Sequence, residues 1–256
     1  MFPLQSVLLP GMPLALRLFE PRYLTMFRHL LETNGEFGVV LIERGPEVGG
    51  GDRRFSRGTV ARIAQYQVVD EMIALVAAGG ARFEVEKWFD DDPYPQALVR
   101  WLPALEWSEE LAPARARTEK AVRRALAAAS EYATTLWPAN VELDDDPVVS
   151  AWQLAGIAPI GPLDHFTLLG SSSLDELLSR TAALADDAAE TLALTANSGL
   201  AFEIPDEQDE QSARDPGGNG GRGNMPGDGA GTADTGTDEG GGGNPDDETG
   251  QEDTKA

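Results

Sequence analysis

Near residue 104 the apolar residues stop recurring at every second position and begin to recur at every third or fourth. A strand turns alternate side chains to one face, and a helix turns every third or fourth, so no segment satisfies both patterns. The order is therefore strands first and helices second. Val7–Leu9 and Leu14–Leu18 flank a Pro10-Gly11 turn, and Phe37–Glu43 is a continuous apolar run suited to a strand covered on both faces. Thr59–Val69, Met72–Ala78, Arg82–Phe89 and Gln96–Leu102 are four further strands, with Asp70-Glu71 and Gly79-Gly80 placed as hairpin turns. Alternation puts Phe83 and Val85 on one face and Arg82 and Glu84 on the other; Ala97, Val99 and Trp101 also share a face. Residues 44–57 contain three consecutive glycines and Arg44, Arg53, Arg54 and Arg57, and predict a mobile loop. One helix interrupts the strands. It opens at Pro21, carries Leu24, Phe27 and Leu31 on one stripe, and stops at Asn34-Gly35.

Beyond residue 104, Thr118–Trp137 aligns Val122, Leu126, Ala129 and Ala133. Asp146-Pro147 supplies an N-cap and a first helical residue for a short helix through Trp152 to Ala155. Ser173 and Glu176 have capping-box spacing. The helix behind them carries Leu174, Leu177, Leu178, Thr181, Leu184, Ala188 and Leu192 on its apolar face, up to Asn197-Ser198-Gly199. From Pro205 to Ala256, 14 of the 52 residues are Gly and 14 are acidic, and Met225 is the one large apolar side chain. Such a segment buries too little to offset its ordering entropy, and predicts a disordered tail that aids solubility or binds a partner. The expected divisions are a strand subdomain over 1–103, a helical subdomain over 104–200 and a disordered Gly/Asp/Glu-rich tail over 201–256.

Charge and composition exclude several functions. The formal net charge of the chain is -23, opposite in sign to the basic stripe of a nucleic-acid binder or the basic patch of a protein on an anionic membrane. Cysteine is absent, which rules out thiolate nucleophiles and Cys-ligated zinc. The two histidines, His29 and His165, are far apart in sequence, so no His-rich metal site is expected. The proline-broken N-terminus lacks a basic leader, and no apolar run reaches the ~20 residues of a bilayer span. A cytoplasmic protein without cofactor or metal is the expectation.

Several blocks occur in fixed order. Phe2-Pro3-Leu4, Leu9-Pro10-Gly11, Leu14-Ala15-Leu16 and Phe19-Glu20-Pro21-Arg22-Tyr23 come first, with Met26 just after. Phe37-Gly38-Val39-Val40, Gly58-Thr59-Val60-Ala61-Arg62-Ile63 and Gly80-Ala81-Arg82-Phe83-Glu84-Val85 follow. Together they resemble the N-terminal domain of Lon proteases, and Leu168-Leu169-Gly170 with Leu174–Leu184 resembles its second half more loosely. The resemblance implies an α+β fold, a PUA-like β-barrel followed by a C-terminal helical bundle. It also implies a module that binds unfolded or tagged polypeptides, with a protease or chaperone as the partner that receives them. RNA binding, common among PUA-like barrels, is the alternative, and the arginines of the 44–57 loop are the cluster in its favour. Lon catalysis needs more than this chain holds. Its three lysines, Lys87, Lys120 and Lys255, follow Glu86, Glu119 and Thr254, so none lies in a phosphate-binding Gly-Lys-Ser/Thr loop. None has the setting of a Ser-Lys dyad, and the chain ends where those modules would begin. A non-enzyme is expected.

The crowded aromatics are the candidate polypeptide-binding residues: Trp88, Phe89, Tyr94 and Trp101, with Trp107 close behind. Trp88 and Phe89 are adjacent on a strand, so one of them faces solvent. Phe19, Glu20, Pro21, Arg22 and Tyr23 have two readings, a recognition surface or a strand-to-helix junction, and the junction is favoured: Phe19 and Tyr23 packed inward, Arg22 paired locally. Gly58 and Gly80 are expected to serve positive φ or close backbone approach. Asp90-Asp91-Asp92 and Asp144-Asp145-Asp146 lack the spacing of a calcium loop and read as caps and turns.

Overall fold

Two seventeen-residue strands, β4 (Arg53–Val69) and β5 (Met72–Trp88), form an antiparallel hairpin on which the sheet is built. Asp70, at a φ of 55°, turns the chain between them as the Asp70-Glu71 signal predicts. The computed structural model describes residues 1–197, which lie within one compact unit. The expected tail over 201–256 and the Ser198-Gly199 helix stop lie outside the described residues. Strand β3 (Glu36–Arg44) pairs antiparallel with β4, and β1 (Phe2–Leu4) runs parallel to β3. Strand β2 (Pro13–Leu18) lies antiparallel to Ile73–Ala78 of β5, while β6 (Ala97–Trp101) pairs with Phe83–Trp88.

The strand order is β1-β3-β4-β5-β2, with β6 on β5. β1 and β2 do not pair, so the expected barrel is an open sheet with these two strands at its ends. β1 has only three residues, and its Pro3 has no donor for a further ladder, as suits an edge strand.

Other expectations are corrected by the same sheet. Gly79-Gly80 is no turn; it lies inside β5, so the two predicted strands are one. The chain needs Gly79 there because a Cβ would stand 2.2 Å from Leu9 O. Val7–Leu9 is not a strand, although Leu8 and Leu9 are buried and Leu8 O accepts a 2.6 Å hydrogen bond from Thr59 Oγ1. The 44–57 loop shrinks to residues 45–52, since β3 reaches Arg44 and β4 starts at Arg53.

Helix α1 (Pro21–Leu31) starts on its proline, and Gly35, at a φ of 69°, returns an N–H to Leu30 O. After a 3-10 turn over Glu109–Leu111, α2 runs Ala112–Ser130 rather than Thr118–Trp137. Pro113 sits in its first turn, and its buried face is Ala121, Val122, Ala125 and Leu126; Ala133 lies past its end and is exposed. Helix α3 (Pro147–Ile157) is capped by Asp146, whose carboxylate accepts from Val148 N and Val149 N at 2.8 and 2.9 Å. Helix α4 (Pro162–Leu169) precedes α5 (Leu174–Asn197). Ser173 Oγ caps α5 at Glu176 N, but Glu176 bonds back to Ser172 rather than to Ser173. α2 packs chiefly on α5, and α3 lies against both. One continuous core joins Leu9, Met12 and Phe27 of the strand half to Trp152, Leu154, Leu168 and Leu177 of the helices.

Candidate functional site

Where β1 and β2 fail to meet, their edges leave a groove of about 320 Å³. Phe2 and Leu4 line it from β1, Leu14 and Leu16 from β2, Phe19 and Tyr23 from the junction into α1, and Val48 from the glycine loop. Three charged residues border it: Arg17, Glu20 and Glu47. Glu20 pairs with Arg22 at 3.1 Å and accepts from Gly49 N at 3.2 Å, and Glu47 accepts from Gln5 N at 3.1 Å. Both carboxylates are thus committed to holding the loop over the groove. Arg17 is exposed and makes no hydrogen bond or ion pair with any described residue.

The groove divides the Phe19–Tyr23 block between the two readings. Pro21 opens α1, Arg22 pairs locally with Glu20 and stands 4.5 Å from the Tyr23 ring, and Tyr23 is buried. Burial pushes the Tyr23 phenol up to about 12, so it stays neutral. Phe19 is the correction: it is 52% exposed and forms a wall of the groove instead of packing inward.

The glycine loop is anchored at its far end as well. Arg54 binds Asp52 and Asp91, each at 2.5 Å, and stands 5.0 Å from the Trp88 ring. Burial opposes the charge on Arg54, but the hydrogen bonds to Asp91 and Asp52 outweigh it and raise its pKa. The Arg54 hydrogen bond in turn holds the Asp91 carboxyl below its ordinary value. Arg53 pairs with Glu43 at 2.7 Å, and Arg57 stands 5.7 Å from the Phe166 ring. Two of the four loop arginines are therefore neutralised locally.

The four aromatic candidates do not converge. Trp88 is half-buried under Arg54, while Phe89 is 50% exposed with Lys87 Nζ 5.4 Å from its ring. Tyr94 is half-buried and shares a 2.9 Å hydrogen bond with His29 Nδ1. Trp101, 60% exposed, sits across from Phe83 and borders a shallow depression of about 270 Å³ with Met1, Phe37 and Val99. Trp88 faces Ala97 at the opposite end of β6 from Trp101, about 13 Å away at a strand's rise.

Of the remaining motif residues, Gly58 and Arg82 have evident structural roles. A Cβ on Gly58 would stand 2.2 Å from Val39 O and 2.6 Å from Phe83 Cζ, so close approach is its role. Gly80 meets nothing nearer than 3.5 Å and has no positive φ, so neither expected reason applies to it. Arg82 is buried and donates to backbone carbonyls. His165 keeps Nε2 sealed and without a partner, and burial lowers its pKa. Among the described residues no group of three or more His, Asp or Glu is placed to hold a metal ion, and no helix is long and apolar enough to cross a membrane.

An open, mostly antiparallel sheet continuous with a helical layer, and grooved where its end strands part, defines a mixed α/β domain. The chain belongs to the family described as the ATP-dependent protease La (LON) substrate-binding domain, whose match spans residues 1–187. Among solved structures it is similar to a Lon N-terminal domain protein from Xanthomonas campestris, with 26% identity and a TM-score of 0.50 over 71% of this chain and 95% of that one. It shares its fold with the N-terminal domain of a Mycobacterium avium complex Lon protease, at 19% identity and a TM-score of 0.51 over 72% and 94%. No curated protein matches the sequence.

Proposed function

We propose that the protein is a non-enzymatic polypeptide-recognition module that acts as an adaptor or modulator of ATP-dependent proteolysis in the cytoplasm. The observation that carries this reading is the apolar groove between the end strands of a domain from the Lon substrate-binding family. A concave apolar surface with few fixed charges suits unfolded segments, which offer apolar side chains and unpaired backbone. Phe19, Val48, Phe89 and Trp101, all half exposed or more, supply further apolar contact. The family name speaks for substrate binding, and the protease or chaperone that receives the client is the second half of the proposal.

Fluorescence anisotropy of a labelled, permanently unfolded protein, titrated with the full chain, tests the first half. Saturable binding is expected, weakened about tenfold by Phe19→Asp, an exposed position whose change leaves the core intact. Absence of binding up to ~100 µM, where a ~5–6 kcal/mol interaction registers, overturns the reading.

A further inference from the structure

The two edges of the groove are not equivalent. The edge of β1 is blocked: Pro3 has no donor, and the next outward N–H, that of Gln5, is taken by Glu47. The edge of β2 is free among the described residues. Met12 O accepts from Gly79 N at 2.9 Å, so strand alternation turns the backbone of Leu14, Leu16 and Leu18 toward β5 and that of Ala15 and Arg17 away from it. No described strand or turn pairs with the outward groups. Leu14, Ala15, Leu16 and Arg17 all line the groove. Four consecutive residues of a strand meet one space only along its edge, because its faces alternate.

The geometry points to strand addition: an extended polypeptide segment lies antiparallel on β2 and bonds to the N–H and C=O groups of Ala15 and Arg17. Its alternate side chains enter the apolar groove beside Leu14, Leu16 and Phe19. Antiparallel pairing continues the alternation of β5 and β2 and is the more stable ladder per residue. Charge selects the segment further. Glu20 is neutralised by Arg22 and Glu47 accepts from Gln5 N, while Arg17 is the charged group on β2 itself, on its solvent side and without a side-chain partner among the described residues. The segment therefore carries apolar residues at every second position and one carboxylate across from Arg17, where opposite charges on facing strands attract. This inference rests on the polypeptide-recognition reading and names its client class.

The test titrates the full chain into a fluorescein-labelled nonapeptide of alternating Val and Thr with a central Glu. The labelled unfolded protein is measured in parallel. Ala15→Pro removes an outward donor and leaves the β5 ladder untouched, and is expected to weaken nonapeptide binding at least tenfold. Exchanging the Glu for Lys should weaken binding to the natural chain and strengthen it to Arg17→Glu, a reversal that a merely destabilised variant cannot produce. Unfolded protein bound while the nonapeptide is ignored, or bound equally by Ala15→Pro with no charge reversal, overturns strand addition and leaves polypeptide recognition standing. Failure of the natural chain to bind either probe overturns both.

Discussion

Arg82 shows how a motif residue can be structural without its own sequence pattern revealing it. Alternation puts it with Glu84 on the face opposite Phe83, and both Arg82 and Phe83 are buried, Arg82 at 6% exposure. The cause is non-local: the helical layer covers that face, and nothing near residue 82 announces it. Its guanidinium donates to Leu169 O at 2.9 Å, Ser171 O at 2.7 Å and Pro103 O at 2.7 Å, and stands 5.0 Å from the Trp152 ring. The Leu169 carbonyl ends α4, where the helix dipole favours a cation. Burial, followed by the nearby Arg57, lowers the Arg82 pKa. The fork of donors is what fits, because three carbonyls at different angles suit a planar guanidinium and not a point charge. Arg82→Met leaves those carbonyls without their donor and is expected to cost about 2–4 kcal/mol in urea unfolding. Arg82→Lys should recover less than half of that loss; full recovery would show that charge alone matters at this position.

At the scale of elements, the legible features are those written in neighbouring residues. The Asp146 cap, the Pro21 start and the Asp70-Glu71 turn stand where the sequence places them, because each is decided within a few positions. Gly79-Gly80 is different, since two glycines between alternating runs signal a turn and a close backbone approach equally well. Only the neighbours decide, and here Leu9 lies against Gly79. The end of α2 differs from the pattern for a related reason: apolar spacing continues past Ser130, whereas Pro138 disfavours helix at Trp137 and the chain leaves the helix earlier still. The glycines make an internal contrast. Gly58→Ala drives a methyl to within 2.2 Å of the Val39 carbonyl, which belongs to the paired strand and cannot step aside. A loss of about 1–3 kcal/mol is expected. Gly80→Ala meets only Val60 O at 3.5 Å, and should be neutral or stabilising by up to about 1 kcal/mol through the unfolded chain. Equal effects of the two substitutions in denaturant unfolding would contradict this account of the strands.

For the whole molecule, closure of the sheet was the feature least available to sequence reading. Whether β1 meets β2 depends on the twist and register summed over every strand between them, and no local signal carries that sum. The groove, which exists because they do not meet, was hidden for the same reason, although Pro3 and Pro13 are the edge-strand prolines that could have pointed to it. The overall charge acts at this scale too. With a net of -23, mild acid relieves self-repulsion across the whole chain. Local groups with depressed pKa values oppose that gain: the buried Met1 amine, brought down to about 5 by burial, His165 and Asp91. His165 is held neutral in the fold because burial lowers its pKa, against a hydrogen bond to the Ala155 backbone and the charge of Asp164. The unfolded chain takes up a proton near pH 6.5, which the fold resists, so the unfolded state binds more protons below that pH. The contribution of a neutral His165 is complete above about pH 6.5 and is lost as the pH falls toward the folded pKa. Asp91 acts lower: its pKa is depressed by Arg54, so its contribution is present above about pH 4 and is lost as the pH falls through the folded value. Between pH 7.5 and 5.5 His165 and the Met1 amine titrate and Asp91 does not. His165→Gln cannot take the proton, and comparing it with the natural chain at each pH cancels the global charge term and the Met1 contribution. The Tm of the natural chain should fall relative to His165→Gln as the pH drops from 7.5 to 5.5, with the change concentrated below pH 6.5. A Tm difference that stays constant across this range would show that the sealed imidazole is not what makes the fold sensitive to mild acid.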